Sequence, residues 1–324
     1  MGWYEKIIRD QRIKKAEITQ DNLKKIHRIY ESSINEIAKD IELKGNNSIC
    51  LNANHKALKE HEEKLRKELN STISEGISKG ADVGIGANNA INSEILKTSG
   101  LNVDETFNTM FAKVHQDVVD NIVTGKLYKD NKTLSDRIWN YTNANGKDIQ
   151  DVITGGITLK KSARELANDL KEFVKPPKNR DPNFSRDYPD KAAKQIDYQV
   201  MRLARTAINH SYQTATIQSS MNNPFVEGIE WHSSLDHRAC EVCVSRHGQI
   251  YPKDDVPLDH PNGVCTMIPY IPKSFDEIGS DIADWINGGV NEGIDDWVNG
   301  RYGDNVDSAK NILQDPNSKI RVGY

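Results

Sequence analysis

The residues best suited to chemistry lie close together in the chain. Between Asp236 and Cys265 it reads DHRACEVCVSRHGQIYPKDDVPLDHPNGVC, a stretch that holds three of its four cysteines. Cys240 and Cys243 have the Cys-x2-Cys spacing that lets two thiolates take adjacent corners of a zinc tetrahedron from one tight turn. His260 and Cys265 supply a second pair, giving C-x2-C-x16-H-x4-C. Zinc suits this set because its filled d shell asks only for four soft or borderline ligands. Two further readings stay open: reduced thiols buried as small apolar groups, or a disulfide from Cys240 or Cys243 to Cys265. His232, His237 and His247 surround the knuckle. A nuclease would need one of them as general base beside a metal-bound phosphate, and their spacing singles out none.

Other catalytic signatures are missing. HEEKL at 61–65 lacks the second histidine of a metalloprotease helix. GIG at 84–86 lacks the third glycine and the strand-to-helix setting of a nucleotide loop. No G-x-x-x-x-G-K-[ST] run occurs, which argues against an ATP-driven motor. The expectation is a protein without catalysis.

Composition limits what carries this cluster. The 324 residues suffice for two domains, and a charged share of 28% against 36% apolar fits a solvated, helix-rich chain. No apolar run approaches the roughly 18 residues of a membrane span. WYEKIIRDQRIKK is too charged for a secretory signal, and Glu5-Lys6 stand against N-terminal acylation. Four cysteines in this length are no disulfide framework. The net charge of −4 is uneven: residues 157–205 carry 12 basic against 7 acidic side chains, residues 271–324 carry 5 against 10.

Periodicity supplies the elements. Leu23, Ile26, Tyr30, Ile34, Ile37 and Ile41 recur at steps of three and four, one stripe of a long helix within 3–44. That stripe belongs either to a bundle core or to a partner-binding helix. GNNS at 45–48 breaks it, a second helix follows, and ADVGIGANNA reads as flexible. Gly155-Gly156 loosen the chain before a helix opened by a Ser162/Glu165 capping box. KPPKNRDPNFSRDYPD, at 175–190, has four prolines and no periodicity, so it reads as an exposed linker and the first site of proteolysis. A further helix carries Ile196, Val200, Leu203, Ala204, Ala207 and Ile208 on one face and reaches Ser220. Strands are expected only within about 225–272. The near-repeat IADWINGG (282–289) and IDDWVNGR (294–301) predicts two short helical turns, each docking a tryptophan. The fold expected is a mainly α N-terminal region with a small α+β C-terminal module around the Cys/His cluster. Its divisions are 1–174 helical, 175–190 linker, 191–272 helix plus module, and 273–324 acidic tail.

The order RTAINHSYQTATIQ (205–218), Trp231, DHRACEVC (236–243), His247-Gly248 and HPNGVC with Pro269 resembles the phage head morphogenesis family, the minor head proteins that include phage Mu F protein. WYEKIIRDQ and GGITLKKSARELANDL extend the likeness upstream. The resemblance implies a non-catalytic minor head (minor capsid) protein. It would act in procapsid assembly beside portal and coat or scaffold proteins, inside the virion, with host cytoplasm as the place of assembly. It also implies structural roles for Trp231, Asp236, Gly248 and Pro261. One departure matters: Gly263 and Val264 stand where the family closes with its first cysteine and a basic residue. Either His260 serves as ligand, or the zinc site is weak. A DNA-processing nuclease or toxin-like protein centred on the same module is the alternative.

Two expectations concern cationic side chains. Arg205 sits between apolar helix positions and needs a carboxylate or several carbonyls. A tie to the cysteine module, with Asp236 as partner, is one reading, and phosphate binding is the other. Lys160, Lys161, Arg164, Lys175, Lys178 and Arg180 would bind double-stranded DNA weakly and without sequence preference if they shared one surface. The other reading makes them the solvated face of a helix.

Overall fold

The structure, a computed structural model, describes residues 3–45, 48–99, 104–235 and 239–298. Among these residues the order is α1 (Trp3–Lys44), α2 (Ser48–Ser99), α3 (Asp104–Val123), α4 (Leu134–Thr158), α5 (Ala163–Val174), α6 (Pro182–Asp187), α7 (Pro189–Ala192), α8 (Tyr198–Ser220), β1 (Gly228–His232), α9 (Glu241–Arg246), β2 (Ile250–Tyr251), β3 (Thr266–Tyr270), α10 (Phe275–Ile286) and α11 (Glu292–Val298). Helices dominate, and the strands fall only within the window expected for them. No described helix is long and apolar enough to cross a membrane. The chain divides into two compact units, each discontinuous in sequence: one from 1–19, 74–132 and 205–324, the other from 20–73 and 133–204.

The second unit buries the α1 stripe. Leu23, Ile26, Tyr30, Ile34, Ile37 and Ile41 are all core residues, joined by Leu65, Leu69 and Ile73 of α2. The stripe is therefore bundle core, not a waiting partner surface. Two capping boxes start α4 and α5: Thr133 with Asp136, and Ser162 with Glu165. Each satisfies backbone N–H groups that the first helical turn leaves without partners.

The proline-rich stretch is not the exposed linker its composition suggests. It folds as a 3₁₀ turn (Pro177–Asn179) followed by α6 and α7. The cause is Arg180, which is 7% exposed. Its guanidinium donates to five carbonyls: Phe173 (2.7 Å), Lys175 (3.0 Å), Lys191 (2.8 Å), Ala192 (2.9 Å) and Lys194 (2.6 Å). It also lies over the Phe173 and Phe184 rings. Prolines leave carbonyls without helical partners, and one planar fork collects them. Tyr188, donating to Asp169 at 2.7 Å, rests on Gly155 and Gly156, so those glycines admit an aromatic ring at the end of α4 and do not loosen the chain.

In the first unit the small residues of α2 likewise have a packing purpose. ADVGIGANNA is helical throughout. A Cβ on Gly84 would stand 2.4 Å from the Tyr212 carbonyl, and one on Gly80 2.3 Å from the Ser211 hydroxyl, so glycine lets α2 approach α8. Asn88 then donates to the Thr216 carbonyl and to Ser219. The three strands form an antiparallel sheet in the order β2-β1-β3, with Trp231 opposite Met267 and Ile229 between Tyr251 and Pro269. The two tail tryptophans differ: Trp297 is buried edge-on against Phe225, whereas Trp285 is half-buried and donates to Asp295.

Candidate metal centre

Helix α8 is the rack on which the cysteine loop hangs. Arg205 donates to Asn262, Thr206 accepts from the Asn262 N–H (2.8 Å), and Asn209 donates to Asp259 (2.9 Å). His210 meets the Asp259 carbonyl at 3.0 Å, and Tyr212 donates to the Met267 carbonyl at 3.1 Å. Gln213 accepts from the Asp259 N–H and donates to the Cys265 carbonyl. The stretch RTAINHSYQ thus satisfies, residue by residue, a loop with no ladder of its own. Arg205 ties the helix to the module through Asn262; Asp236 and His237 lie outside the described residues.

Lys15 of α1 reaches the same loop. Its side chain is buried, yet the ammonium donates to Asn209 Oδ1 (2.8 Å) and to the carbonyls of Val264 (3.1 Å) and Cys265 (2.8 Å), and lies 4.7 Å above the Tyr212 ring. Burial brings it down to about 8 despite the nearby Asp259 and Cys265. At the far end of α8, Lys253 donates to the Met221 and Asn223 carbonyls, where a cation favours the helix C-terminus.

Beneath the loop, Trp231, Ile229, Met267, Val256 and Ile217 form a core that includes Cys243 and Cys265. Trp231 is fully buried with Arg246 over its ring, and Gly248, at φ 76°, donates its N–H to the Trp231 carbonyl. Only glycine takes that left-handed conformation without strain. Cys240 caps α9, its sulfur accepting from the Cys243 N–H at 3.4 Å.

The ligand atoms gather in two triads, each with its atoms within 4.8 Å of one another: Cys240, Cys243 and His260, and Cys243, Asp259 and Cys265. Cys243 belongs to both. The four ligands expected from the sequence therefore divide between the triads, and Asp259 joins them. Cys240, Cys243 and Cys265 are free thiols, so the disulfide reading is not the one the fold adopts. The other histidines lie elsewhere: His232 pairs with Glu230, and exposed His247 accepts the Ser233 N–H.

Electrostatics favour a cation here. Burial pushes the Cys243 thiol far up, reinforced by Cys265, Cys240 and Asp259. Cys265 also rises, through burial and Asp259, against the opposing pull of Cys243, Trp231 and Lys15. Cys240 behaves oppositely: burial opposes its ionisation, but the Cys243 and Val242 N–H groups and His260 outweigh that. His260 is held above the ordinary histidine range, because the Pro261 carbonyl, Asp259 and Cys240 outweigh its partial burial. Its Nδ1 faces the Pro261 carbonyl at 3.0 Å, which leaves Nε2 for a ligand. Acidic groups pressed together like this ionise together only around a cation, and thiolate, imidazole and carboxylate are the donors zinc accepts. The residues present fit such an ion.

Two of the cationic side chains expected to face DNA are engaged within the protein. Arg180 is consumed by its carbonyls. Lys161 is held between Asp169 and Asp187, at 2.7 Å from each. Lys175 pairs with Glu172, while Lys160, Arg164 and Lys178 remain exposed.

Residues 146–267, which carry the helix laid along the cysteine loop, match a protein-family model. That family is described as phage Mu protein F like protein, and the likeness is to that stretch of the chain. Comparison with curated proteins and with solved structures gave no match. The matched range contains α8, the knuckle and both triads, and excludes α1.

Proposed function

We propose that the protein is a minor head protein of a tailed phage or prophage. It acts without catalysis in procapsid assembly, beside portal and coat or scaffold proteins, and ends inside the virion. The single observation behind this is the family match over residues 146–267, a range that includes α8 and the cysteine loop. In that role the module is a staple. A structural zinc bound there contributes its binding free energy to folding, because the ligand set does not exist in the unfolded chain. Cys240, Cys243, His260 and Cys265 would hold it, a reading supported by the approach of Cys240, Cys243 and His260 to within 4.8 Å of one another.

The test is co-purification from an infected or induced lysate. The protein should co-sediment with procapsids and be captured with tagged portal protein. A protein found only free of every head component, at a stage when procapsids are abundant, would remove this role. DNA contact has weaker support, since Lys161 and Arg180 are occupied internally. Any binding through Lys160, Arg164 and Lys178 should be weak and fall steeply with salt.

A further inference from the structure

We infer that Asp259 is itself a metal ligand, through Oδ1, and that Gly263 is what admits it. The inference rests on the zinc staple proposed above and assigns the group that closes it. Asp259 is fully buried, and each of its two oxygens has a defined set of partners. Oδ2 accepts from the Cys265 N–H (2.9 Å) and from Asn209 (2.9 Å), which fills both of its lone-pair positions. Oδ1 accepts one N–H, from His260 at 2.9 Å. Its other partner is the Cys243 thiol at 3.7 Å. The remaining contact of Oδ1 is thus with a sulfur that is itself one of the candidate ligands.

Distances agree. Oδ1 stands 3.7 Å from Cys243 Sγ and 3.8 Å from His260 Nε2. Ligands on a tetrahedral zinc, with bonds of about 2.0–2.3 Å, lie roughly 3.4–3.6 Å apart. Oδ1 therefore sits one ligand edge from a member of each triad, and Cys243 with Asp259 links the outer, half-exposed set to the inner, dry one. The three N–H donors on Asp259 are the outer contacts that orient a ligating carboxylate.

Gly263 explains why a carboxylate stands here. A Cβ at 263 would lie 2.2 Å from Asp259 Oδ2 and 2.3 Å from its Cγ. Any side chain at 263, a cysteine included, would expel the Asp259 carboxylate from its present position. The loop thus accommodates a side chain at 263 or this carboxylate, not both.

The experiment uses the full chain and cobalt(II) as a spectroscopic probe, with zinc affinity measured by competition. Asp259→Asn keeps the shape and removes the anionic ligand; it should lower zinc affinity at least about 100-fold and shift the cobalt d–d bands. Gly263→Ala, which leaves every ligand in the sequence, should produce the same loss. Asp259→Cys should retain one metal per chain and add one thiolate to the sulfur-to-cobalt charge-transfer absorption, a result that a purely orienting carboxylate would not give. X-ray absorption on wild-type protein keeps the question decidable if a variant fails to fold: the zinc shell should contain a carboxylate oxygen. A wild-type cobalt spectrum and affinity in Asp259→Asn, or a shell of sulfur and imidazole alone, would overturn the ligand while leaving the staple standing. A wild-type protein that binds neither zinc nor cobalt would overturn both.

Discussion

Arg180 and Asp259 solve the same problem with opposite charges. Each organises a short irregular segment by burying one charged side chain and surrounding it with backbone groups. In the 20–73/133–204 unit a guanidinium collects five carbonyls from residues 173–194. In the other unit a carboxylate collects N–H donors from His260, Cys265 and Asn209. The Arg180 hub is closed: its donors are engaged and aromatic rings cover it. The Asp259 hub is not, because its carboxylate shares a dry pocket with Cys243 and Cys265, thiols that burial pushes upward. A buried charge needs hydrogen bonds and a counter-charge, and in the inference above a cation supplies the counter-charge that the neutral donors on Asp259 do not.

The largest effect should come from the closed hub. Arg180→Ala removes the guanidinium from five carbonyls, of which Lys191 keeps the Lys194 N–H, and should destabilise its unit by about 3–5 kcal/mol, measured by denaturant unfolding. A loss under about 1 kcal/mol would mean that water replaces the guanidinium and that the hub is ornamental. Next in size is Gly84→Ala, where the new methyl meets the α8 backbone. Overpacking of this kind costs about 1–3 kcal/mol and should fall on the unit containing the cysteine module. Lys15→Met keeps the apolar stem and removes a donor from Asn209 and one of the two donors on the Cys265 carbonyl. About 1–2 kcal/mol should be lost in thermal unfolding, with weaker zinc retention in parallel. A variant with unchanged metal binding would separate α1 from the site.

The smallest effect concerns acid. Burial pushes the Asp148 carboxyl up, but hydrogen bonds from Lys191 and Lys194 outweigh it and hold the group below its ordinary range. A carboxyl lowered in the folded state stabilises it above the unfolded value, near pH 4, and that contribution disappears as pH falls through the folded value. Wild type should therefore exceed Asp148→Asn in urea stability at pH 7, by about 1 kcal/mol or less for a pair still open to solvent screening, and the gap should close as pH falls through the folded value. A gap that widens in acid would contradict the pairing.

Legibility followed locality. The α1 stripe and the Ser162/Glu165 capping box were readable because their partners lie three or four residues away; the Thr133/Asp136 box, equally local, was missed. The Cys-x2-Cys knuckle was readable for the same reason. Arg180 was not, because a basic residue among prolines and asparagines has the composition of an exposed loop; Phe173 and Phe184, which cover it, were the only hint. Lys15 is one of many lysines on a charged helix, and its burial comes from residues about 250 positions later. Asp259 reads as a turn former before His-Pro. The glycine at 263 raised from the sequence only the question whether His260 serves as ligand; its clash with Asp259 is visible only in the fold.

Metal content joined to local protection tests the contrast between the hubs most directly. Full-length protein purified without chelator should carry one zinc per chain by elemental analysis. After chelation, amide hydrogen exchange should accelerate across residues 240–265 while residues 173–194 keep their protection. Metal-free protein in which 240–265 is already as protected as 173–194 would contradict the claim that one hub is complete and the other is finished by a cation.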